Sequence, residues 1–225
     1  MWWLALAIAN VDLVTYTNTG FLDFFLNWHA HYENLGLQYS LTVYALDEPA
    51  YRDLRRRGIN TIKWNETHEK TSVWNTLAYN KLVHTKPKIL LERAGSLATD
   101  TILVWFDVDS VWLDDPVPYL GSCRSTTQMD GPDHCTGFMM FRVRPELKPF
   151  FQRWIDALHL GYNDQRAFNL VSQILKPCKL PQTTFPSGQP YPHMPSEMVI
   201  FHNNYVIGHS RKRDRFKEQK LWLVD

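Results

Sequence analysis

The chain has 225 residues, 44% hydrophobic and 21% charged, which suits a globular domain and argues against a disordered chain. The 24 basic residues nearly balance the 23 acidic ones, which argues against nucleic acid or an anionic membrane surface as a partner. The three cysteines show no CxxC spacing and cannot all pair, so neither a disulfide framework nor a zinc ribbon is indicated. An oxidising compartment would allow a Cys123–Cys135 disulfide, but the sequence alone does not establish this pairing.

The first ten residues, MWWLALAIAN, contain an apolar stretch of eight residues after Met1. A membrane-spanning helix needs about 20 such residues, and a signal peptide begins with basic residues that are missing here. We interpret residues 1–10 as the remnant of a truncated signal-anchor or, alternatively, as an extension of the first strand. A membrane partner is expected only in the first case. Residues 11–225 are predicted to form one domain.

Strand and helix patterns alternate in the first half of the chain. VDLVTYTN, LTVYALD, INTIKW and TILVWFDVD have strand character, whereas FLDFFLNWHAHYENLG and EPAYRDLRRRG repeat apolar residues at helical spacing. The pattern from Val73 to Gly95 is helical and is interrupted at Pro87, which predicts two helices or one kinked helix. This alternation predicts an α/β fold with a mostly parallel central sheet flanked by helices.

The pattern changes after Pro116. GFMMFRV predicts another strand, and PELKPFFQRWIDALHLG and NDQRAFNLVSQIL predict helices, the first with Pro145 at its start and the second with an Asn or Asp cap. Residues 176–198 contain six prolines and are predicted to form a long irregular loop, a kind of segment that is often functional. MVIFHNNYVIGH returns to strand character before the basic tail RKRDRFKEQKLW.

Two carboxylates follow the strongly apolar strand ILVWF. In an extended strand, residues two apart face the same side about 7 Å apart, so Asp107 and Asp109 can address one ion. Hard oxygen ligands suit Mg²⁺ or Mn²⁺, with a substrate's phosphates filling the remaining positions. Asp114 and Asp115 precede Pro116 and predict a turn. From these residues alone, a metal site and a polar exit from a buried strand both remain open.

The stretch FDVDSVWLDDP resembles the metal-binding motif of nucleotide-sugar glycosyltransferases of the GT-A fold. The chain as a whole is similar to the nucleotide-diphospho-sugar transferase family, which includes plant cell-wall xylosyl- and arabinosyltransferases. The similarity covers most of residues 11–222, in ordered blocks that include TYTNTGFLDFFLNWHAH, VYALDEPAYRDL, CTGFMMFR, NDQRAFN, FPSG and FHNNYVIGHSRKRDRFKEQKLW. It implies a GT-A (Rossmann-like) domain that moves a sugar from a nucleoside-diphosphate sugar, with a UDP-sugar as the expected donor, to a hydroxyl of a glycan or glycoprotein.

The resemblance also implies roles for the metal and phosphate residues. Asp107 and Asp109 would hold Mn²⁺ or Mg²⁺ against the donor diphosphate, and His202 would complete the metal shell. Without the resemblance, His202 is more simply a packed histidine at a strand end. Gly208 and Lys212 match the positions whose backbone and ammonium would meet the phosphates.

The nucleotide would lie against the end of the first strand. There the resemblance assigns Thr15, Tyr16 and Asn18 to the base and ribose, although ordinary strand-end capping explains them equally well. Lys81 lies in the helix before the Asp107 strand and is a candidate for a phosphate contact, although an exposed helical lysine is the simpler interpretation.

The sugar is assigned to the middle of the chain. Thr136 and Gly137 match donor-contacting positions, and Asp164 and Gln165 are the catalytic candidates, which would contact the transferred sugar and shield positive charge at its anomeric carbon. Taken alone, Asn163-Asp164 is a helix cap. The family usually carries Asn where this chain has Cys135, which leaves the sugar contact there open and points to a different donor preference.

Two other classes of protein are compatible with parts of the sequence. FDVDSV also fits the signature of haloacid-dehalogenase-type phosphatases, with Asp107 as nucleophile, but that fold places the motif early and needs a late acidic pair that the basic tail lacks. A catalytically silent nucleotide-sugar-binding protein on the same fold is the other alternative. For the transferase we expect the secretory pathway or Golgi lumen, with the cytoplasm as the alternative. The sequon Asn65-Glu66-Thr67 is a weak sign of the former.

Overall fold

The structure is a computed structural model that describes residues 10–65 and 76–224. Residues 1–9 of the N-terminal segment, and two of the three sequon residues, lie outside these ranges. Within the described ranges, no helix has both the length and the apolar character needed to cross a lipid bilayer.

Strands and helices alternate as predicted over the first half of the chain. The strands are β1 (Val11–Thr17), β2 (Ser40–Ala45), β3 (Thr61–Lys63), β4 (Ile102–Phe106), β5 (Ser110–Trp112), β6 (Ser125–Asp130), β7 (Asp133–Arg142), β8 (Cys178–Lys179) and β9 (Ile200–His202). The helices are α1 (Leu22–Asn34), α2 (Glu48–Arg56), α3 (Leu77–Val83), α4 (Thr85–Ser96), α5 (Leu147–Leu158), α6 (Asp164–Val171) and α7 (His209–Glu218). The basic tail is therefore largely the helix α7.

The central sheet has seven strands in the order β3-β2-β1-β4-β7-β6-β8. β1 pairs in parallel with β2 and β4, and β2 pairs in parallel with β3, whereas β7 runs antiparallel to both β4 and β6. The predicted α/β fold with a mostly parallel sheet is confirmed. The carboxyl ends of the parallel strands β1, β2 and β4 meet at one edge, where open α/β sheets bind their ligands.

The two faces of the sheet are covered by separate hydrophobic clusters. In β4, every residue is buried; Val104 and Phe106 belong to one cluster and Leu103 and Trp105 to the other, as the alternation of side chains along a strand requires. α1 packs into the first cluster through Phe24, Phe25 and Trp28, and α4 and α5 pack into the second. The strand that leads to Asp107 is thus held rigidly from both sides.

The chain turns immediately after β4. Asp107 to Asp109 form this turn, in which the backbone N–H of Ser110 donates to the carbonyl of Asp107 at 3.1 Å, and the chain continues into β5. The prediction that Asp107 and Asp109 lie on an extended strand is therefore wrong, because the residue pairing of β4 with β7 ends at Phe106 and the chain turns over the next three residues. β5 leaves the central sheet and pairs antiparallel with β9, with Ser110 opposite His202.

The break in the helical segment before β4 differs from the prediction. The two helices separate at His84, and Pro87 is the third residue of α4 rather than the interruption. A proline is tolerated in the first turn of a helix because its missing N–H would have no intrahelical partner there. The first residues of the predicted segment, 73–75, lie outside the described residues.

The disulfide differs from the pairing that the sequence left open. Cys123 bonds to Cys178, with a Cα–Cα distance of 6.2 Å, and Cys135 is a buried free thiol. The physical reason is the register of the sheet: β8 pairs with β6 so that Cys178 lies opposite Thr126, close to Cys123 just before β6. The disulfide ties the start of the Pro-rich segment to the edge of the sheet.

Candidate active site

Three of the predicted site residues converge beyond the carboxyl end of β4. One ligand atom each from Asp107, Asp109 and His202 lie within 4.8 Å of one another. Backbone hydrogen bonds set their positions: the N–H of Asp107 donates to the carbonyl of Gly137 at 2.7 Å, and the N–H of Asn203 donates to the carbonyl of Asp109 at 2.8 Å. Residues far apart in sequence therefore form one cluster of two carboxylates and one imidazole.

Gly137 leaves room for the imidazole of this cluster. A Cβ atom built on Gly137 would lie 2.0 Å from Cε1 and 2.5 Å from Nδ1 of His202, far closer than non-bonded atoms can approach. The His202 ring thus lies directly on the backbone of β7. Gly137, predicted as a donor-contacting residue, here has a steric role in seating the histidine.

Lys212 reaches the cluster from the first turns of α7. Its ammonium donates to the carboxylate of Asp109 and, at 2.7 Å, to the carbonyl of Asn203. Burial alone would raise the pKa of Asp109, but Lys212 and His202 hold that pKa well below its usual range. Gly208 precedes α7 with φ at +97°, a backbone conformation that favours glycine, and its carbonyl accepts from the N–H of Lys212.

A second lysine, Lys86 in α4, was missed by the sequence analysis. Its side chain is 2% exposed, and its ammonium lies 3.1 Å from Asp107 and 2.8 Å from Asp164. It also donates to the carbonyl of Thr136 at 3.0 Å. Burial alone would lower the pKa of Lys86, but the two carboxylates raise it well above its usual value, so the ammonium form is retained. Lys86 joins the Asp107 end of the site to Asp164.

Asp164 is held firmly at the start of α6. The hydroxyl of Thr136 donates to its Oδ2 at 2.8 Å, the same oxygen that faces Lys86. Its backbone carbonyl accepts from the indole of Trp154 at 2.8 Å. The predicted cap is confirmed at Asn163, whose side chain accepts from the N–H of Arg166. Asp164 and Thr136 therefore lie in one network with Asp107, whereas Asn163 is structural.

Aromatic side chains line this network. The indole N–H of Trp105 donates to Oδ1 of Asp107 at 2.9 Å, and the ring of Tyr16 lies edge-on to Trp105 at 5.4 Å. Burial raises the pKa of Tyr16 well above its usual value, against the opposing effect of Lys86. Burial likewise raises the pKa of Tyr79 in α3, which is also influenced by Asp164. Tyr16, whose nucleotide contact stays a prediction, thus lies beside this network, and Trp105 and Tyr79 are additions.

Gln165 belongs to a smaller polar group beside Asp164. Its side-chain amide donates to Oδ2 of Asp130 at 3.0 Å, and the hydroxyl of Tyr205 donates to the other carboxylate oxygen of Asp130. Burial and Asp130 together raise the pKa of Tyr205 to about 12. This group connects α6, the end of β6 and the loop that follows His202.

Of three residues predicted to contact the nucleotide, two are buried in or just after β1 and one is exposed on α3. The Thr15 hydroxyl is buried and donates to the carbonyl of Phe106 at 2.6 Å, so it bonds β1 to β4. Asn18 is buried at the end of β1, and its carbonyl accepts from the N–H of Phe21 at 3.1 Å. Lys81 is exposed on α3. The buried lysine of this region is Lys86, one helix further along the chain.

Cys135, which precedes Thr136 and Gly137 in β7, faces the histidine. Its sulfur lies 3.6 Å from Nδ1 of His202, and it is buried. Burial alone would lower the pKa of His202, but Cys135 and Asp109 together raise it to about 10. Surroundings that stabilise a positive imidazolium also favour a bound cation. Two carboxylates and one imidazole within 4.8 Å therefore fit a divalent metal such as Mn²⁺ or Mg²⁺.

A mostly parallel sheet with an Asp-X-Asp turn after a central strand and a late histidine beside it defines the GT-A class of fold. The solved glycosyltransferase GlyE in Streptococcus pneumoniae TIGR4 has this chain's fold, with a TM-score of 0.63 at 12% identity over 96% of this chain and 61% of that one. The expected fold is confirmed.

The chain belongs to the nucleotide-diphospho-sugar transferase family, whose model matches residues 36–216. A UDP-D-xylose:L-fucose alpha-1,3-D-xylosyltransferase of Arabidopsis thaliana is 29% identical over 164 residues, 55% of this chain and 45% of the relative. The UDP-galactose:fucoside alpha-3-galactosyltransferase of Dictyostelium discoideum is 25% identical over 198 residues, 70% of this chain and 30% of the relative. The chain thus spans about half the length, or less, of these curated relatives. Family membership favours the transferase interpretation over the phosphatase.

Proposed function

We propose that this chain is the catalytic domain of a metal-dependent glycosyltransferase. It moves a sugar from a nucleoside-diphosphate sugar to a hydroxyl of a glycan or glycoprotein acceptor. The observation that carries the proposal is the convergence of Asp107, Asp109 and His202 at the carboxyl edge of a GT-A sheet. A divalent cation held there would lie where such sheets bind their ligands.

Asp107, Asp109 and His202 would hold Mn²⁺ or Mg²⁺. The bound metal would supply Lewis-acid stabilisation to the diphosphate that leaves as the glycosidic bond breaks. Lys212 would exchange its contact with Asp109 for a phosphate oxygen and add a second positive charge. The backbone around Gly208, at the start of α7, would donate to the same phosphates because the N-terminus of a helix favours anions.

The sugar would lie against the network around Lys86. Thr136 and Lys86 both contact Asp164 through Oδ2, and we assign Oδ1 of Asp164 to a sugar hydroxyl. The Gln165 side chain, oriented by Asp130, would contact the sugar and place its carbonyl dipole toward positive charge at the anomeric carbon. Tyr16 and Asn18 would contact the nucleotide, with Thr15 supporting them from within the sheet.

A UDP-linked donor is supported by the names of the two curated relatives, which act from UDP-D-xylose and UDP-galactose on fucose-containing acceptors. The disulfide between Cys123 and Cys178 supports an oxidising compartment, and hence the secretory pathway or Golgi lumen rather than the cytoplasm.

The deciding experiment is UDP or GDP release from a panel of nucleotide sugars with Mn²⁺, with and without a fucoside acceptor. The panel contains UDP-xylose, UDP-galactose, UDP-arabinose and GDP-linked sugars. We expect acceptor-stimulated release from a UDP-sugar, and loss of that release in Asp109→Ala. Asp114→Ala is the matched control, because this exposed carboxylate lies in the same stretch of sequence outside the metal cluster.

Each failure has a distinct meaning. Nucleotide-sugar binding without turnover would establish the catalytically silent alternative. Release of inorganic phosphate from a phosphomonoester, lost in Asp107→Asn, would establish the phosphatase. The absence of binding and turnover with every donor would refute the proposal.

A further inference from the structure

The side chain of Gln128 is fully buried in β6, and its contacts define the orientation of its amide. The amide nitrogen lies 2.7 Å from the carbonyl oxygen of Pro186 and 3.2 Å from that of Phe185. Backbone carbonyls only accept hydrogen bonds, so the NH₂ group of Gln128 must point at them. The other end of the amide, Oε1, is therefore turned the opposite way.

Oε1 of Gln128 lies 3.0 Å from Nδ1 of His202. Because this oxygen can only accept, Nδ1 must carry a hydrogen and donate it. The Cys135 sulfur, at 3.6 Å, is a more distant and weaker partner for the same nitrogen. The imidazolium that these surroundings favour carries a hydrogen on both nitrogens, and a ligating metal takes the place of the one on Nε2, the nitrogen that is 3.5 Å from Oδ1 of Asp109.

We propose that Gln128 is a positioning residue that fixes the Nδ1–H tautomer of His202 and thereby presents Nε2 to the metal. The inference rests on the proposed function, because it assumes the metal shell of Asp107, Asp109 and His202. Histidine ligands of metals regularly donate their second N–H to a fixed acceptor, which sets ring orientation and raises the basicity of the ligating nitrogen.

The sheet is irregular at the position that this role requires. β6 and β7 pair with Thr127 opposite Met139, but the register then shifts and Gln128 lies opposite Cys135. The intervening residues 136–138 of β7 have no paired residue in β6, and they include Thr136 and Gly137 of the site. Such irregularities re-aim side chains. Here the shift places the Gln128 amide between the Pro-rich segment and the His202 ring.

The inference also gives the Pro-rich segment a role. Its residues Phe185 and Pro186 hold the NH₂ end of Gln128, and the N–H of His202 points to the Pro186 carbonyl at 3.5 Å. The Phe185 side chain is fully buried, in contact with the ring of Phe138. The segment thus supports the metal-binding histidine from behind.

The test uses Mn²⁺ binding rather than turnover. The dissociation constant is measured by electron paramagnetic resonance, and pulsed spectra report whether a nitrogen is coordinated to Mn²⁺. Gln128→Met keeps the side-chain volume but removes both ends of the amide. We expect its Mn²⁺ dissociation constant to rise by about 10- to 100-fold, with loss or weakening of the nitrogen signal. Gln128→Glu keeps an acceptor for Nδ1–H and should retain the nitrogen signal.

Thr127→Val is the matched control. The Thr127 side chain is buried in the same strand and is hydrogen-bonded to the Nδ1 of another histidine, His134, at 2.6 Å. Its loss should leave Mn²⁺ binding and the nitrogen signal unchanged. If Gln128→Met does not fold, Gln128→Leu, which also lacks the amide, takes its place: a lost or weakened nitrogen signal supports the proposal, and an unchanged signal overturns it.

The proposal and the proposed function fail in different ways. Wild-type affinity and an unchanged nitrogen signal in folded Gln128→Met would overturn the role of Gln128 and leave the transferase intact. A wild-type protein with coordinated nitrogen but no transfer from any donor would refute the function and leave the role of Gln128 standing. A wild-type protein that binds Mn²⁺ without coordinated nitrogen would overturn the role of Gln128 and the assignment of His202 together.

Discussion

The His202 ring lies directly on the backbone of Gly137, so that a Cβ atom on this glycine would be 2.0 Å from Cε1 of the ring. The same glycine carbonyl accepts the N–H of Asp107. One backbone unit of β7 therefore positions two members of the proposed metal cluster, one through a hydrogen bond and one through the absence of a side chain.

Gly137→Ala should displace His202, because the new methyl group cannot share space with a buried ring. We expect a loss of about 1–3 kcal/mol in the free energy of unfolding from overpacking, and Mn²⁺ binding at least about tenfold weaker. Denaturant titration and Mn²⁺ titration check the two effects. Gly95→Ala is the control: its Cβ would meet only the end of the Lys148 side chain, and alanine favours the helix. Unchanged Mn²⁺ affinity in Gly137→Ala would contradict the proposed ligand role of His202.

Lys86→Met should destabilise the protein strongly. It leaves the Asp107 and Asp164 carboxylates without their shared ammonium, and breaking a buried ion pair in this way typically costs about 3–5 kcal/mol. Added Mn²⁺ should restore part of the lost stability, because a cation bound to Asp107 supplies the missing charge. The measurement is the unfolding free energy with and without Mn²⁺. Exposed Lys217→Met should change it by less than about 0.5 kcal/mol.

Lys212→Met should change the affinities for Mn²⁺ and for UDP in opposite directions. The Lys212 ammonium contacts the Asp109 carboxylate, so its removal frees this ligand and should strengthen the binding of Mn²⁺ alone. Binding of UDP in the presence of Mn²⁺ should weaken by about tenfold, since a charge-assisted contact to phosphate is lost. Calorimetric titration measures both affinities, again with Lys217→Met as the control. Equal weakening of both would show that Lys212 acts only as a structural partner of Asp109.

The disulfide should stabilise the domain and should be detectable by thiol titration. Cys123 and Cys178 are 55 residues apart, and a cross-link of this span is worth about 2–4 kcal/mol. Reductant should lower the melting temperature of the wild type but not that of the Cys123→Ser/Cys178→Ser variant. In denatured, unreduced protein, thiol titration should find only Cys135. Three reactive thiols before reduction would argue against the disulfide and against an oxidising compartment.

The fold was predictable from the sequence because long apolar patterns dominate it. β4, buried on both faces, is visible as the run ILVWF, and α1 and α5 show clear helical periodicity. The break assigned to Pro87 was wrong because a proline in the first turn costs a helix nothing. The disulfide pairing was not predictable because connectivity depends on the β6–β8 register, which local patterns do not encode.

The site was predictable where chemistry and resemblance agreed, as for Asp107, Asp109 and His202, whose convergence the structure confirms. Lys86 was missed because an isolated lysine in a helical pattern is expected to be exposed. Its burial depends on two carboxylates from distant segments. Gln128 was missed for a similar reason, since its partners Phe185 and Pro186 lie in a segment without periodicity. The roles assigned to Asp164, Gln165 and the nucleotide-binding residues stay predictions.

Because β5 pairs with β9, the proposed metal cluster can form only late in the synthesis of the chain. Asp109 precedes β5, and His202 ends β9 directly opposite Ser110. The ligands therefore meet only when two segments about ninety residues apart come into contact. Strand pairing over such a separation in sequence is slow. A nascent chain that has emerged only as far as the Pro-rich segment carries both aspartates but neither their histidine nor Lys212. The ability to bind the metal with nitrogen coordination would therefore report that the last strand and helix have docked, and it could serve as a folding assay for variants anywhere in the domain.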